Sequence, residues 1–387
     1  MTANKKPKSA YVPASKRRDG LFKISDVAAK LKVTPRTIRF YEDEGLLPGA
    51  RRTQGKMRLF DKEDLDRILE IRKLQSERGM TLEQIKAYIK DERGFDTHGR
   101  VKKRFRIVTD VTATLPEAFF EQHDVIRLPI MIKLNKRIYG TPGHLISNAQ
   151  LFEMAYRSGN YPTTEPADDK VLAHVFQDLL RSGAEQVLVI TLSSMLSETF
   201  RQVNRQAHKF RDLHIAVLDS RTSAAGLAIL VTEAVRLKEQ GQNLVQVKQG
   251  LEQLIPQLIQ IFTVQSLEHL YKGGRIGPEL SGYMSILLDF KPVLALRGAK
   301  GFIELIGRAE TTPQAYEKMS QALLQYLQAK GDPRYLALVY NGLASDAERL
   351  HAQLCAQYPG AQVICAEANP VLGVHLGPSA LGVAVLS

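Results

Sequence analysis

Arg36 and Arg39 stand three residues apart in the run Thr34-Pro35-Arg36-Thr37-Ile38-Arg39-Phe40-Tyr41-Glu42, so on a helix they share one face. Two guanidinium forks so placed can bond to the O6 and N7 edge of guanine or to phosphate. Arg51, Arg52, Lys56 and Arg58 follow, interspersed with Gly49 and Gly55, as cations spaced to lie along a sugar-phosphate backbone. A second chemistry sits in loops further along. Thr109-Asp110, Thr191-Leu192-Ser193-Ser194-Met195-Leu196-Ser197 and Asp219-Ser220 each follow a short β-rich run. There, at the carboxyl ends of strands, hydroxyls and backbone N–H groups can hold a small ligand. Cys355 and Cys365 are the two cysteines, and their spacing is no metal-ligand pattern, so no metal site is expected.

Charge separates the two chemistries. Residues 1–103 hold 26 Lys and Arg against 15 Asp and Glu, while the remainder holds 27 against 26. A basic head on a nearly neutral body points to a polyanion partner for the head alone. The 387 residues are 44% hydrophobic and 24% charged, values of a globular chain long enough for two or three domains. The longest apolar runs, around 226–232 and 286–296, fall short of the roughly 20 residues that a membrane-spanning helix needs. Lys5, Lys6, Lys8, Lys16, Arg17 and Arg18 precede no apolar segment, so residues 1–20 read as a basic flexible tail and not as a secretory signal. With two unpaired cysteines, this predicts a cytoplasmic protein without membrane insertion.

Short helices must position the arginines. Ile24, Val27, Ala28 and Leu31 make one apolar helical face, with Ser25 as the expected N-cap. Thr34-Pro35 supplies a cap and a first-turn proline for the next helix, which Gly45 ends. The pair reads as a helix-turn-helix, and the stretch from Leu47 to Phe60 as a β-hairpin wing. Asp61 caps a third helix carrying Leu65, Ile68 and Leu69. Thr81 with Gln84 forms a capping box for a fourth, ending near Lys90.

These motifs, with Gly45-Leu46-Leu47, Arg58-Leu59-Phe60, Asp64-Leu65 and Leu82-Glu83-Gln84-Ile85, resemble the MerR family over residues 21–90. The resemblance implies a promoter-DNA reader whose contacts come from Thr34, Arg36, Thr37, Arg39, Tyr41, Arg51, Arg52, Lys56 and Arg58. MerR regulators usually continue into a long dimerisation helix. After Lys90 this chain instead has Gly94 and Gly99 and no heptad pattern, which predicts a linker over 91–104.

In the body, β-rich runs at 105–108, 125–128, 186–190, 215–218, 261–264, 335–340 and 362–365 alternate with helical spacing at 171–181 and 226–240. Alternation of this kind predicts βαβ units and mostly parallel sheets. Val108-Thr109-Asp110, Leu115-Pro116, Thr163-Thr164-Glu165-Pro166, Ser193 to Thr199, Leu270-Tyr271-Lys272-Gly273-Gly274-Arg275-Ile276, Lys291-Pro292, Arg308 and His375-Leu376-Gly377-Pro378 resemble, in order, the DegV family. DegV proteins bind a long-chain fatty acid between two α/β lobes, and some deliver it to a kinase that phosphorylates the acyl carboxylate. The resemblance implies lipid contacts from Thr163, Thr164, Ser194, Ser197, Arg275, Arg308 and His375. Hydroxyls and a guanidinium fork suit a carboxylate head, and Ile286, Leu287, Leu288 and Phe290 are candidates for the acyl channel.

Three departures from the DegV pattern stand near these positions: Glu198 where glycine is usual, Val111 and Thr114 in the first loop, and Thr164-Glu165. An inward-pointing Glu198 would repel a carboxylate. A Ser197/His375 hydrolase lacks an identifiable third carboxylate and a G-x-S-x-G elbow, and Gly273-Gly274 has no downstream Lys-Ser/Thr for a phosphate loop. No catalytic residue is assigned. The expected protein is multidomain: an N-terminal all-α winged helix-turn-helix, then a two-lobed α/β DegV-like fold over 105–387. It would be a homodimeric regulator with a fatty acid as bound ligand and no other cofactor. The alternative is a carrier presenting its acyl chain to a fatty acid kinase, with DNA binding secondary.

Overall fold

The computed structural model describes residues 21–47, 51–52, 58–78, 81–82, 85, 105–140, 146–277 and 290–387; at 51, 52, 63, 70, 77 and 78 it describes the backbone alone. The tail at 1–20, Lys56, Gln84, the end of the fourth helix, the linker at 91–104, and Ile286, Leu287 and Leu288 lie outside the described residues. The chain divides into two compact units, 1–104 and 105–387.

In the first unit, β1 (Phe22–Lys23) leads into α1 (Ile24–Leu31), whose Val27, Ala28 and Leu31 are buried. The helix begins two residues earlier than its sequence suggests. Lys23 occupies the cap position without a side-chain bond, and the Ser25 hydroxyl turns to Asp26. α2 (Pro35–Asp43) is capped as expected, the Thr34 hydroxyl accepting from the Thr37 N–H at 3.0 Å. Gly45, at φ +70°, turns the chain out of that helix in the left-handed region that favours glycine. β2 (Arg51–Arg52) and β3 (Arg58–Phe60) form the expected antiparallel hairpin, and β1 joins them in a three-stranded sheet, so this unit is not helical throughout. α3 (Lys62–Arg78) closes an apolar core around Ile38, Phe60, Ile68 and Ile71.

The second unit has two lobes. In the first, β4 (Phe105–Asp110), β5 (Ile126–Leu128), β9 (Gln186–Thr191) and β10 (His214–Asp219) form a parallel sheet in the order β10-β9-β4-β5. Beside it, β6 (Ile130–Leu134), β7 (Arg137–Tyr139) and β8 (Thr163–Pro166) pair antiparallel. Helices α4 (Glu117–His123), α5 (Asn148–Ser158), α6 (Asp169–Arg181) and α7 (Thr199–Ala207) complete this lobe.

The connecting helix α8 (Ala224–Glu239) is buried on nearly every side, consistent with its continuous Ala, Leu, Ile and Val content. It packs on β4 and β9, and also on strands of the second lobe. Then come α9 (Leu244–Leu254), β11 (Ile259–Val264), α10 (Glu268–Lys272), β12 (Lys291–Arg297), β13 (Ile303–Ala309), α11 (Thr312–Lys330), β14 (Tyr335–Asn341), α12 (Ala344–Gln357), β15 (Gln362–Glu367), α13 (Pro370–Leu376) and β16 (Ala380–Leu386).

The second lobe corrects the expectation of mostly parallel sheets. Its order is β13-β12-β11-β16-β14-β15, and only β14 and β15 run parallel. The cause is connectivity: β12 and β13 form a hairpin, and β16 returns antiparallel between β11 and β14. Inside this lobe the Glu233 carboxylate of α8 is 1% exposed. It accepts from Arg236 at 2.7 and 2.8 Å, from Arg334 at 3.1 Å and from the Tyr335 hydroxyl at 2.8 Å. A charge so buried persists because every lone pair finds a donor.

Candidate functional site

A cavity partly open to solvent lies in the second unit, with about 640 Å³ of empty space when the open solvent is included. Leu192, Leu196, Phe262, Leu270, Leu296 and Ile303 supply much of its apolar wall. The polar groups come from loops and strand ends of both lobes. Asp110, fully buried at the end of β4, fixes the first of these loops. It accepts from the Thr112 N–H and hydroxyl at 2.9 and 2.6 Å and from the Leu192 N–H at 2.6 Å. Burial raises its pKa, and those three donors oppose the rise.

Strand parity decides between the two adjacent threonines of β8. Thr163 is exposed, whereas Thr164 is half-buried and lines the cavity, because successive side chains point to opposite faces. The Thr164 hydroxyl lies 2.8 Å from Nε2 of His375. His375 sits near the end of α13, whose first turn is capped by Asn369 accepting from the Leu372 N–H. Burial, with help from the nearby Arg275 and His269, pushes the His375 pKa down to about 3, so the ring is neutral. Among the described residues its buried Nδ1 has no hydrogen-bond partner. A free acceptor there is less costly than a stranded N–H. This places the proton on Nε2, which donates to Thr164 and leaves the threonine hydrogen available to a ligand. Gly273 makes the close packing possible, since any Cβ there would collide with the His375 ring.

Arg275 follows that turn and lines the cavity. Its Nε donates to the Leu196 carbonyl at 3.0 Å, Nη1 donates to the Gly273 carbonyl, and burial lowers its pKa. Among the described residues no carboxylate pairs with it. Ser197 also lines the cavity, with its oxygen accepting from the Thr199 N–H at 3.2 Å. Its oxygen therefore holds the first N–H of α7 while the side chain faces the ligand space. Glu198 points away, exposed and paired with Arg201, so no carboxylate charge from it enters the cavity.

The remaining expected residues lie elsewhere. The Ser194 hydroxyl donates to Asp219, which also accepts the Ser194 and Arg221 N–H groups at 3.0 Å, so it clasps two loops and does not line the cavity. Arg308 is exposed and stacks over the Phe290 ring at 5.0 Å. Phe290 packs beside the apolar cluster of Phe262, Leu270 and Leu296. Sequence reasoning passed over Gln260, a cavity-lining residue whose only signal is one amide among Ile259, Ile261 and Phe262. Among the described residues no three His, Cys, Asp or Glu side chains converge as a metal site.

In the first unit, Arg36 and Arg39 are exposed on α2 beside Phe40. Tyr41 is turned inward with Ile38, three positions away on the same face, and its hydroxyl donates to Gln75 at 2.9 Å. The Thr34 and Thr37 hydroxyls meet at 2.8 Å in the cap. Arg58 forms an ion pair with Glu42 at 3.1 Å, which ties the hairpin to α2. The backbones of Arg51 and Arg52 pair with β3, while Lys56 lies outside the described residues.

Comparison with known proteins agrees with this division. Residues 104–387 match the family model described as uncharacterised protein, DegV family, and residues 22–92 match that of the MerR HTH family regulatory proteins. A DegV domain-containing protein of Deinococcus radiodurans is 30% identical over 279 residues, covering 72% of this chain and 97% of the relative. Among solved structures, a fatty-acid-binding DegV family protein from Thermus thermophilus is 30% identical, with a TM-score of 0.67 over 73% of this chain and 99% of its own. The Bacillus subtilis fatty acid binding protein DegV shares the fold at 24% identity, with a TM-score of 0.66 over 74% of this chain and 99% of its own.

Proposed function

The chain belongs to the DegV family, and from that premise we propose that it is a DNA-binding transcription regulator whose body takes a long-chain fatty acid, or a related lipid, as effector. One observation carries the effector reading: Arg275 lines a largely apolar cavity, and among the described residues no carboxylate pairs with it. A cation, two hydroxyls and a neutral imidazole beside an apolar wall suit an acid with a long hydrocarbon tail. The fatty acid named for the Thermus thermophilus relative fits the same description.

Thr164, Ser197, Arg275 and His375 would hold the head group. Arg36 and Arg39 would read promoter DNA from α2, with the hairpin cations along the phosphates. The regulator would act in the cytoplasm as a homodimer on two half-sites. It performs no catalysis in this reading. Ligand can regulate only by binding one arrangement of the protein better than another, with an ordinary coupling of about 1–3 kcal/mol.

The test is reciprocal titration. Operator fragments, selected from genomic DNA by the full chain, are titrated with and without fatty acid, and fatty acid with and without operator. The expected result is the same factor, about 5- to 150-fold, in both directions. Identical curves in both pairs would sink the effector role and leave a carrier that hands its acyl chain to a fatty acid kinase.

A further inference from the structure

The cavity has polar groups in two places. One is the cluster of Thr164, Ser197, Arg275 and His375. The other is Gln260, beside Ser223 and Ala224 at the start of α8. Gln260 is 4% exposed, and its Oε1 accepts from the Gly226 N–H at 3.0 Å. Its amide nitrogen has no hydrogen-bond partner among the described residues, and the side chain lines the cavity. The Ser223 side chain makes no cap bond to the helix it precedes. The nearby Thr112 hydroxyl is already given to Asp110. What faces the cavity here is the Gln260 amide, beside the positive end of a long helix.

The two places are carried by different elements. Gln260 is four residues from Val264, about 13 Å along β11, and α10, which leads to Arg275, begins beyond that far end. A plain alkyl chain from a head group at Arg275 would lie against the Gln260 amide and strip it of water with nothing in exchange. An oxygen on the chain would accept its hydrogen bond instead.

We infer that the cavity is built for an acyl chain with a second oxygen in its body, a hydroxyl or oxo group, and that Gln260 selects for it. This rests on the acyl-binding reading above and narrows the ligand class. It requires no covalent step.

The experiment displaces a fluorescent fatty acid from the delipidated full chain. The competitors are octadecanoic acid, its mid-chain hydroxy and oxo derivatives, and the corresponding α,ω-dicarboxylic acid. The hydroxy and oxo acids are expected to compete about tenfold or more better than the plain acid. Gln260→Leu should erase that difference. Gln260→Glu, which keeps the acceptor for the Gly226 N–H but removes the amide donors, should erase it too and covers the case of a leucine variant that folds poorly. Equal competition by plain and oxygenated acids on the wild-type chain would overturn the inference while leaving acyl binding intact. Preference for the dicarboxylic acid over both would overturn it in favour of an anion subsite. If no acid displaces the probe, the acyl-binding reading fails first.

Discussion

Thr164 and His375, 211 positions apart in the chain, meet at 2.8 Å across the two lobes of the body. The contact joins an edge strand of the small antiparallel sheet to the last helix, and it aims the threonine hydroxyl into the cavity. Thr164→Val keeps the shape and removes the donor. Acyl affinity should fall by about 1.5–3 kcal/mol, because the bond lost is to a charged acceptor. Thr163→Val, on the opposite face of the same strand, should leave affinity unchanged. Competition against a fluorescent fatty acid measures both, and an effect at Thr163 equal to that at Thr164 would refute the strand-parity assignment.

The His375 pKa near 3 makes ligand-free stability depend on pH. The unfolded ring takes up a proton below its ordinary value of 6.5, while the folded ring stays neutral down to about 3. Between these limits the unfolded state binds more protons, so stability rises with pH and is lost as pH falls. The contribution approaches about 1.4 kcal/mol per pH unit. Urea unfolding of the body, followed across that window, should show a shallower slope for His375→Gln than for the wild type.

Glu233 acts in a lower window. Burial opposes its ionisation, but bonds from Arg236 and Tyr335 and the charges of Arg334 and Arg236 win, and its pKa is lowered from 4.5. Its stabilisation is therefore fully present above pH 4.5 and disappears as pH falls through the folded value. Glu233→Gln should cost about 1–3 kcal/mol at neutral pH, since it weakens charge-assisted bonds in a buried site. The loss should vanish at acidic pH. A constant difference from pH 7 to pH 3 would exclude this account.

For the head, Arg36→Ala and Arg39→Ala should each cost about 1–3 kcal/mol at a cognate operator if each reads a base. Tyr41→Phe deletes a buried hydroxyl and its bond to Gln75, so it should lower head stability by about 1 kcal/mol and leave operator contacts intact. Binding isotherms with thermal melts separate the two effects. Specific loss of operator affinity in Tyr41→Phe without loss of stability would return Tyr41 to the DNA-reading face.

Local signals in the sequence were legible where backbone chemistry is local. Thr34-Pro35 announced the cap of α2, and the β-rich runs at 105–108 and 186–190 became parallel neighbours. The same runs were silent about β16, whose place between β11 and β14 is set by contacts across more than a hundred residues. Likewise, the run Arg36 to Glu42 shows a helix but conceals that Tyr41 faces the core, which depends on where Ile38 packs. The choice between Thr163 and Thr164 needed the register of β8 on β6, where Ile132 faces Thr164. Ser194 looked like a ligand hydroxyl because nothing local reveals its partner, Asp219, 25 residues on. Gln260 carried a weak local signal, and its meaning came only from the helix start placed against it.

Helix α8 sits against β4 and β9 of one lobe and against β11, β14 and β16 of the other. One apolar cluster runs through it, from Ile107 and Leu188 to Ala337 and Ala384. Neither sheet can separate from this helix without wetting the surface that stabilises the other. The body should therefore melt in a single cooperative transition, and amide exchange in β9 and in β14 should share one opening free energy. What looks like two lobes is, to denaturant, one foldon.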